Sequence, residues 1–313
     1  MITEPSRPRV LVLLASRNGA AFIARQIRSV AAQEGVHVWI EVRDDGSTDA
    51  TREIVRELAA SGLPVSLRID HDAKGSAAAN FFALMRGADI AAVDYVAFCD
   101  QDDEWLPQKL LRATFKLRTS GALGYSAATR AQWPDGRSKV LVQSAEIRPA
   151  DYLFEGAGQG CTFVLAKALF ADLQRDLERA SGMLSALRYH DWAAYALTRS
   201  TGASWAFDAE PAMVYHQHDR NDTGARSSGA GVIRRLRLVR NGWYSAQVRA
   251  VVRLVQFIHP EDASAAEWAR LDAPARRTTL GARLARLRFV ARNGRRRASD
   301  RCLLIAAVAL GHL

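Results

Sequence analysis

Four short apolar runs, separated by helix-like stretches, open this chain, and their alternation limits the fold more than any other feature. Val10–Ala15, Val36–Val42, Val65–Ile69 and Val93–Cys99 have the length and residue types of strands. Ala20–Gln33, Ala50–Ala60 and Ala77–Ala88 between them read as helices, with Ile54, Val55 and Leu58 on one face of the second. A βαβαβαβ order predicts an α/β fold: a Rossmann-like, mostly parallel sheet with right-handed crossovers and helices on both faces. Such sheets bind ligands at the carboxyl ends of their strands. The polar clusters Ser16–Gly19, Asp44–Asp49, Asp70–Gly75 and Asp100–Asp103 all fall at those ends. Four loops are therefore expected to meet on one edge.

The sequence Asp100-Gln101-Asp102-Asp103-Glu104-Trp105 stands where the fourth apolar run surfaces and a helix begins near Leu106. Carboxylates packed this closely repel one another unless a cation joins them. A hard divalent ion uses one or two carboxylates, keeps several waters and takes phosphate oxygens as further ligands. The structural alternative is a solvated turn with Asp103 capping the next helix. Asp44-Asp45-Gly46-Ser47-Thr48-Asp49 has the same two readings: a turn with Asp49 as a cap, or a strand-end carboxylate that accepts an N–H from a nucleobase.

Further along, Gly121 to Ala166 carries short strand signals and turns such as Trp133-Pro134-Asp135-Gly136, which predict antiparallel additions and a loop. Ala168–Arg179 and Tyr189–Arg199 read as helices, Ser204–Phe207 and Ala212–Gln217 as two strands. His190-Asp191 opens the second helix, where Asp191 is either an N-cap or a placed base. His216 and His218 share one face of a strand end. Three scattered cysteines suit neither a disulfide framework nor a zinc site and favour a reducing compartment. No secretory signal and no transmembrane run is visible in the sequence.

The net charge of +10 is uneven. Residues 232–313 hold 17 Arg against 5 acidic residues, a balance of +12, while the rest, with 26 basic and 28 acidic residues, stands at −2. Such asymmetry marks an attachment surface for an anionic partner. Within 232–258, Ile233, Leu236, Val239 and Trp243 recur at helical spacing among Arg234, Arg235, Arg237 and Arg240. That pattern suits a helix lying on a membrane or one docked on the protein with its arginines outward.

Asn18-Gly19, Asp44-Asp45-Gly46-Ser47-Thr48-Asp49 and Asp100-Gln101-Asp102-Asp103-Glu104-Trp105, in this order and spacing, resemble a family-2 glycosyltransferase of the GT-A fold. The Asp-Gln-Asp-Asp-x-Trp form resembles the rhamnosyltransferase-like branch, and the similarity covers roughly residues 9–220. The resemblance implies an inverting, metal-dependent transfer of a sugar, with rhamnose foremost, from a nucleotide-diphospho-sugar. The implied acceptor is a bacterial surface glycan or a lipid-linked glycan. It implies that Asp45 holds the base, that Asp102 and His218 hold Mg²⁺ or Mn²⁺, and that Asp100 lies near the ribose and the metal. Ser16, Arg17, Asn18, Lys74, Asn80 and Gly160 would line the nucleotide-sugar site, and Asp191 would be the general base. The family usually places an aromatic where this chain has Arg17, whose guanidinium plane can also stack on a base.

The implied organisation is a catalytic domain over 1–230, with a nucleotide-sugar-binding half (9–120) and an acceptor half (121–230), then a basic helical extension over 231–313. Its Arg-rich helices are expected to meet an anionic membrane surface, on the inner face of the cytoplasmic membrane of a cytoplasmic protein. Nucleic acid is not an expected partner, and oligomerisation is left open. Two alternatives remain at this point: a nucleotidyltransferase that makes the sugar nucleotide, and a non-catalytic membrane adaptor on a transferase fold.

Overall fold

The computed structural model describes residues 7–70, 75–217, 240–274 and 279–313. The chain forms two compact units. The first comprises Met1–Gln143, Gly158–Glu178 and Ser204–Arg220, the second Ser144–Ala157, Arg179–Ala203 and Asn221–Leu313.

The first unit begins with β1 (Arg9–Ser16), α1 (Ile23–Ala31), β2 (His37–Asp44), α2 (Thr51–Ala60), β3 (Val65–Ile69), α3 (Ala77–Gly87) and β4 (Tyr95–Cys99), the expected alternation. It continues with β5 (Glu104–Trp105), α4 (Lys109–Ser120), β6 (Gly124–Gln132), β7 (Ser138–Leu141), β8 (Val164–Ala166) and α5 (Lys167–Arg179). α6 (His190–Ser200) belongs to the second unit, and β9 (Trp205–His216) returns to the first.

Nine strands make one sheet in the order β3-β2-β1-β4-β8-β6-β9-β5, with β7 paired to β6. β3, β2, β1 and β4 run parallel to one another, and β8 is antiparallel to both β4 and β6. The parallel core explains why β1 reads as a continuous apolar run: Val10, Val12, Leu13 and Leu14 are wholly buried. From β1 the chain steps outward to β2 and β3, then crosses back to β4 on the other side of β1. With right-handed crossovers this reversal places α1 and α2 on one face and α3 on the other, and makes the β1/β4 edge the switch point where ligands bind.

Two expectations are corrected. The two strands read over 204–217 are one strand, β9. Its pairing with β6 shifts between Ala127↔Asp208 and Ala128↔Pro211, so residues 209–210 bulge out and Pro211, which lacks an N–H, is accommodated at the irregularity. Asp103 does not cap the following helix: Gln108 is the N-cap of α4, and the Asp103 side chain is buried.

In the second unit, α7 (Trp243–Ile258), α8 (Ala263–Leu271), α9 (Leu280–Asn293) and α10 (Ala298–Ala309) account for most of the described C-terminal residues. Side-chain oxygens of Asp262 and Thr279 cap α8 and α9. Phe154 enters this helical group: its ring meets Trp268 edge-on at 4.8 Å and Phe289 at 6.2 Å, and all three rings are buried. Residues 144–157 and the C-terminal helices thus share one core. α7 buries Val248, Val251, Val252 and Val255 inside the unit. The Arg-rich segment 232–239 lies outside the described residues.

Candidate active site

Strand register brings the predicted loops together. Ser16 pairs with Asp44, Asp44 with Ile69, and Leu14 with Cys99. Arg17, Asp45, Asp70 and Asp100 therefore follow directly after four aligned strand ends. Gln101 bridges the switch point. Its Oε1 accepts from the Ser16 hydroxyl at 3.2 Å and from the Arg17 N–H at 2.9 Å, and its Nε2 donates to the Arg17 carbonyl at 3.1 Å. A Cβ on Gly19 would come within 2.3 Å of Gln101 Oε1, so a side chain there would displace the bridge.

The first loop is locked to the second. Asn18, at φ 49°, is the one described non-glycine residue in the left-handed region. Its N–H donates to Ser47 Oγ at 2.8 Å, and its Oδ1 accepts from the Thr48 N–H at 2.9 Å. Asp49 accepts from the Ala20 and Thr51 N–H groups, each at 3.1 Å. Asp44 is bound by the Ser47 hydroxyl and by Arg52.

Asp45 is rooted from behind by Arg43, which is wholly buried. Arg43 Nη1 donates to Asp45 Oδ1 at 3.1 Å and to Asn80 Oδ1 at 2.7 Å, and its Nε donates to Asp70 Oδ2 at 2.7 Å. Asn80 in turn donates to the carbonyls of Ser16 and Arg43, each at 3.3 Å. Asp45 Oδ2 accepts the Gly75 N–H at 2.9 Å and lies 4.0 Å from Arg17 Nη1. Asp70 is held down to about 2, chiefly by its hydrogen bonds from Arg68; burial opposes this next, and the Arg43 hydrogen bond and the two guanidinium charges lower it further.

Arg17, Asn18, Phe22, Thr48, Asp49, Gln101 and Asp102 line a cavity of about 510 Å³ at this edge. Beneath the Asp100–Asp103 turn, ligand atoms of Asp100, Asp103 and Cys161 lie within 4.8 Å of one another. Neither carboxylate oxygen of Asp103 has a hydrogen-bond partner among the described residues. Burial, with Asp100 and Asp102 adding their charge, pushes the Asp103 carboxyl well above the usual range. Burial likewise draws Lys109 down to about 8, while Cys99, Cys161 and Asp103 oppose that shift; its Nζ sits 3.4 Å from the centre of the Trp105 ring. A buried carboxylate without a donor, beside two further carboxylates, fits a divalent cation that would take their oxygens.

Gly160 opens a buried 3-10 turn over Gly160–Thr162, next to Cys161. Asp191 stands in the first turn of α6, with Tyr189 rather than Asp191 at the N-cap. Its Oδ1 accepts the Trp192 N–H at 2.7 Å. His190 is buried and its ring is driven down to about 3, so it is neutral near pH 7. Ser16, Arg17, Asn18, Asp45, Asn80, Asp100, Asp102 and Gly160 all belong to the first unit, and Asp191 belongs to the second. Lys74 and His218 lie outside the described residues.

Arg43, Gln101 and Cys161 were not among the expected site residues. An arginine in the apolar strand that leads into Asp44-Asp45 is a signal for the first, since a cation there needs the carboxylates that follow. Gln101 is visible only as the middle of its motif. Cys161 reads as an ordinary core residue.

A doubly wound sheet with acidic loops at its switch point defines a class of nucleotide-binding α/β enzymes, and comparison with known proteins narrows that class. The model of the family "Glycosyl transferase family 2" matches residues 11–159. The dTDP-rhamnosyl transferase RfbG of Shigella flexneri is 34% identical over 240 residues, which span 76% of this chain and 83% of that protein. This chain belongs to glycosyl transferase family 2 and is a glycosyltransferase. Its fold is that of a crystal structure of S. aureus TarS 1-349, at TM-score 0.55 and 14% identity, over 90% of this chain and 79% of that one. The mannosyltransferase PcManGT of Pyrobaculum calidifontis, solved with GDP-Man and Mn2+, matches at TM-score 0.51 and 16% identity, over 98% of this chain and 87% of that one. Membership sets aside the nucleotidyltransferase and adaptor alternatives.

Proposed function

We propose that this enzyme moves a sugar, with inversion, from a nucleotide-diphospho-sugar to a growing bacterial surface glycan or its lipid-linked form. dTDP-rhamnose is the first donor to test, because a relative 34% identical over 76% of this chain is a dTDP-rhamnosyl transferase. The observation that carries the reading is the rooted carboxylate: Asp45, held by buried Arg43 and the Gly75 N–H, at the same sheet edge as the Asp100–Asp103 turn.

In this reading Asp45 accepts an N–H of the base, and Arg17 lies over the nucleotide. Ser16, Asn18, Lys74, Asn80, Asp100 and Gly160 shape the donor pocket. Asp102 and His218, with Asp100 and Asp103 near at hand, hold Mg²⁺ or Mn²⁺. When bound, such an ion neutralises charge on the leaving diphosphate. Asp191 accepts the proton of the acceptor hydroxyl as that oxygen bonds to the anomeric carbon. The bond from that carbon to the diphosphate oxygen breaks, and its electron pair leaves with the nucleoside diphosphate. The enzyme works at the cytoplasmic side of an anionic membrane, reached through its Arg-rich C-terminal helices.

Release of nucleoside diphosphate from dTDP-rhamnose and from UDP- and GDP-sugars, with and without Mn²⁺, tests the donor. A thermal-shift series with the free diphosphates tests the pocket. A nucleotide that binds only the folded protein, at 100 times its dissociation constant, adds about 2.7 kcal/mol of stability. Donor turnover unaffected by removal of metal, or stabilisation by none of the nucleotides, would sink this reading.

A further inference from the structure

The sequence directed attention to residues 232–258, but the described part of that segment, α7, buries its valines inside the second unit. The apolar surface that remains uncovered lies further on. α9 and α10 pack on each other and are joined by only four residues, 294–297, which makes them an antiparallel hairpin. From Ala298 to Leu310, every exposed position is uncharged, with Leu303 at 46% and Leu310 at 72% exposure. These positions recur at three- and four-residue spacing and so form one face of the helix. Leu304, Ala307 and Val308, on the opposite side, are buried.

The outer face of α9 pairs Leu280 (71% exposed) and Leu284 with exposed Arg288 and Arg292. Arg297, in the connection, is exposed as well. No exposed position between Leu280 and Leu310 is acidic; Asp300 is half-buried on the flank of α10. Three deeper arginines are committed elsewhere. Arg286 donates to the Leu313 carbonyl at 2.9 Å, Arg295 to the Phe154 carbonyl at 3.1 Å, and Arg296 to Asp151 at 2.8 Å. The hairpin thus divides its arginines into an inner set that fixes its seat and an outer set beside exposed leucines. Among the described residues no helix is long and apolar enough to cross a membrane.

We propose that the outer face of the α9–α10 hairpin is the surface by which this enzyme lies on an anionic phospholipid bilayer. Leu280, Leu284, Leu303 and Leu310 enter the headgroup boundary, and Arg288 and Arg292 meet lipid phosphates. An apolar face with a basic border and no exposed acid is the pattern that a negatively charged lipid surface complements. An exposed apolar face of this kind marks an interaction site rather than ordinary surface. The inference rests on the membrane-surface reading above and assigns it a place.

The test uses the full-length protein, co-sedimented with phosphatidylcholine vesicles that contain or lack phosphatidylglycerol. Two double variants are compared with the wild type, Leu303→Asp/Leu310→Asp and Arg288→Glu/Arg292→Glu. Wild type should bind the anionic vesicles only, and less as salt rises. Each arginine reversed to glutamate should weaken that binding by at least about fivefold, and the leucine pair should abolish it. All these positions are exposed, so melting temperatures should hold; if the leucine pair lowers its own, the arginine pair decides. Wild-type binding that neither variant changes overturns the hairpin but leaves the membrane reading intact. No wild-type binding to anionic vesicles overturns both. A dimeric wild type that the leucine variant makes monomeric, with vesicle binding unchanged, shows that a second copy covers this face and overturns the proposal.

Discussion

Arg43 in the first unit and Arg296 in the second are both almost wholly buried, and both spread their guanidinium over carboxylate and other oxygens. Arg43 reaches Asp45, Asp70 and Asn80, at most 37 residues away along the chain. Arg296 reaches Asp151 at 2.8 Å, the Tyr195 hydroxyl at 3.2 Å and the carbonyls of Gly156 and Ser144 at 2.7 and 3.0 Å, up to 152 residues away. A buried guanidinium is tolerated only when its donors are matched, so each arginine fixes the segments that match it. The two differ in what is held. Arg43 presents a carboxylate at a sheet edge that carries a cavity, while Arg296 joins residues 144–157 and α6 to the C-terminal hairpin.

The largest expected effect separates the two by stability and binding. Arg296→Met and Arg43→Met each remove the buried cation facing a buried carboxylate, Asp151 and Asp45, and each should cost roughly 3–5 kcal/mol. Chemical denaturation measures this. Adding Asp151→Asn to Arg296→Met should recover part of the loss, because the amide carries no charge to strand. Only Arg43→Met should also remove nucleotide binding from the fraction that stays folded. Equal nucleotide affinity in both variants would break the contrast.

Asp191→Asn probes the second unit for chemistry rather than cohesion. Loss of a general base costs on the order of 10²–10⁴-fold in rate. Turnover should fall by that much while the affinity for donor nucleotide holds. Near-normal turnover would remove Asp191 from the mechanism. Asp102→Ala is the converse in the first unit: metal-dependent nucleotide binding should vanish in calorimetry while the melting temperature holds. His218→Ala should weaken that binding less, since a neutral ligand brings less charge than a carboxylate. If calorimetry shows both unchanged, the metal is held elsewhere.

The same contrast governs what could be read from the sequence. The first unit is built from neighbouring segments, so strand and helix periods recur in order, and Asp45, Asp100 and Asp102 follow from where each apolar run ends. Its least legible parts are pairings across the sheet: Gln101 onto Ser16 and Arg17, Arg43 onto Asn80, Cys161 beside Asp103. Both units draw on three stretches of chain, but the first keeps all of its opening strands and helices in one run to Gln143, whereas the second joins Ser144–Ala157 and Arg179–Ala203 to the C-terminal helices. Its cement is arginine on backbone carbonyls, and carbonyls carry no sequence signal. Arg286, Arg295 and Arg296 therefore looked like the exposed arginines around them, and Phe154 gave no hint that Trp268 and Phe289 would enclose it.

The smallest expected effect concerns Asp70, the partly exposed partner of Arg43. Asp70 is partly exposed and accepts from Arg68 at 3.2 Å and from Arg43 at 2.7 Å. Its folded-state value of about 2 lies below the ordinary 3.8. A depressed carboxyl stabilises the fold fully above the unfolded value, and that contribution is lost as pH falls through the folded one. Wild-type stability should therefore decline between about pH 4 and 2 through this group, among others. In Asp70→Asn that part of the acid slope disappears, because the amide does not titrate. The variant should be slightly less stable near neutrality and should approach the wild type as the pH reaches 2; solvent screening keeps the gap small. Thermal melts of both proteins across the acid range measure the slope. A constant gap down to pH 2 would mean that the Asp70 charge contributes nothing to the hold on Arg43.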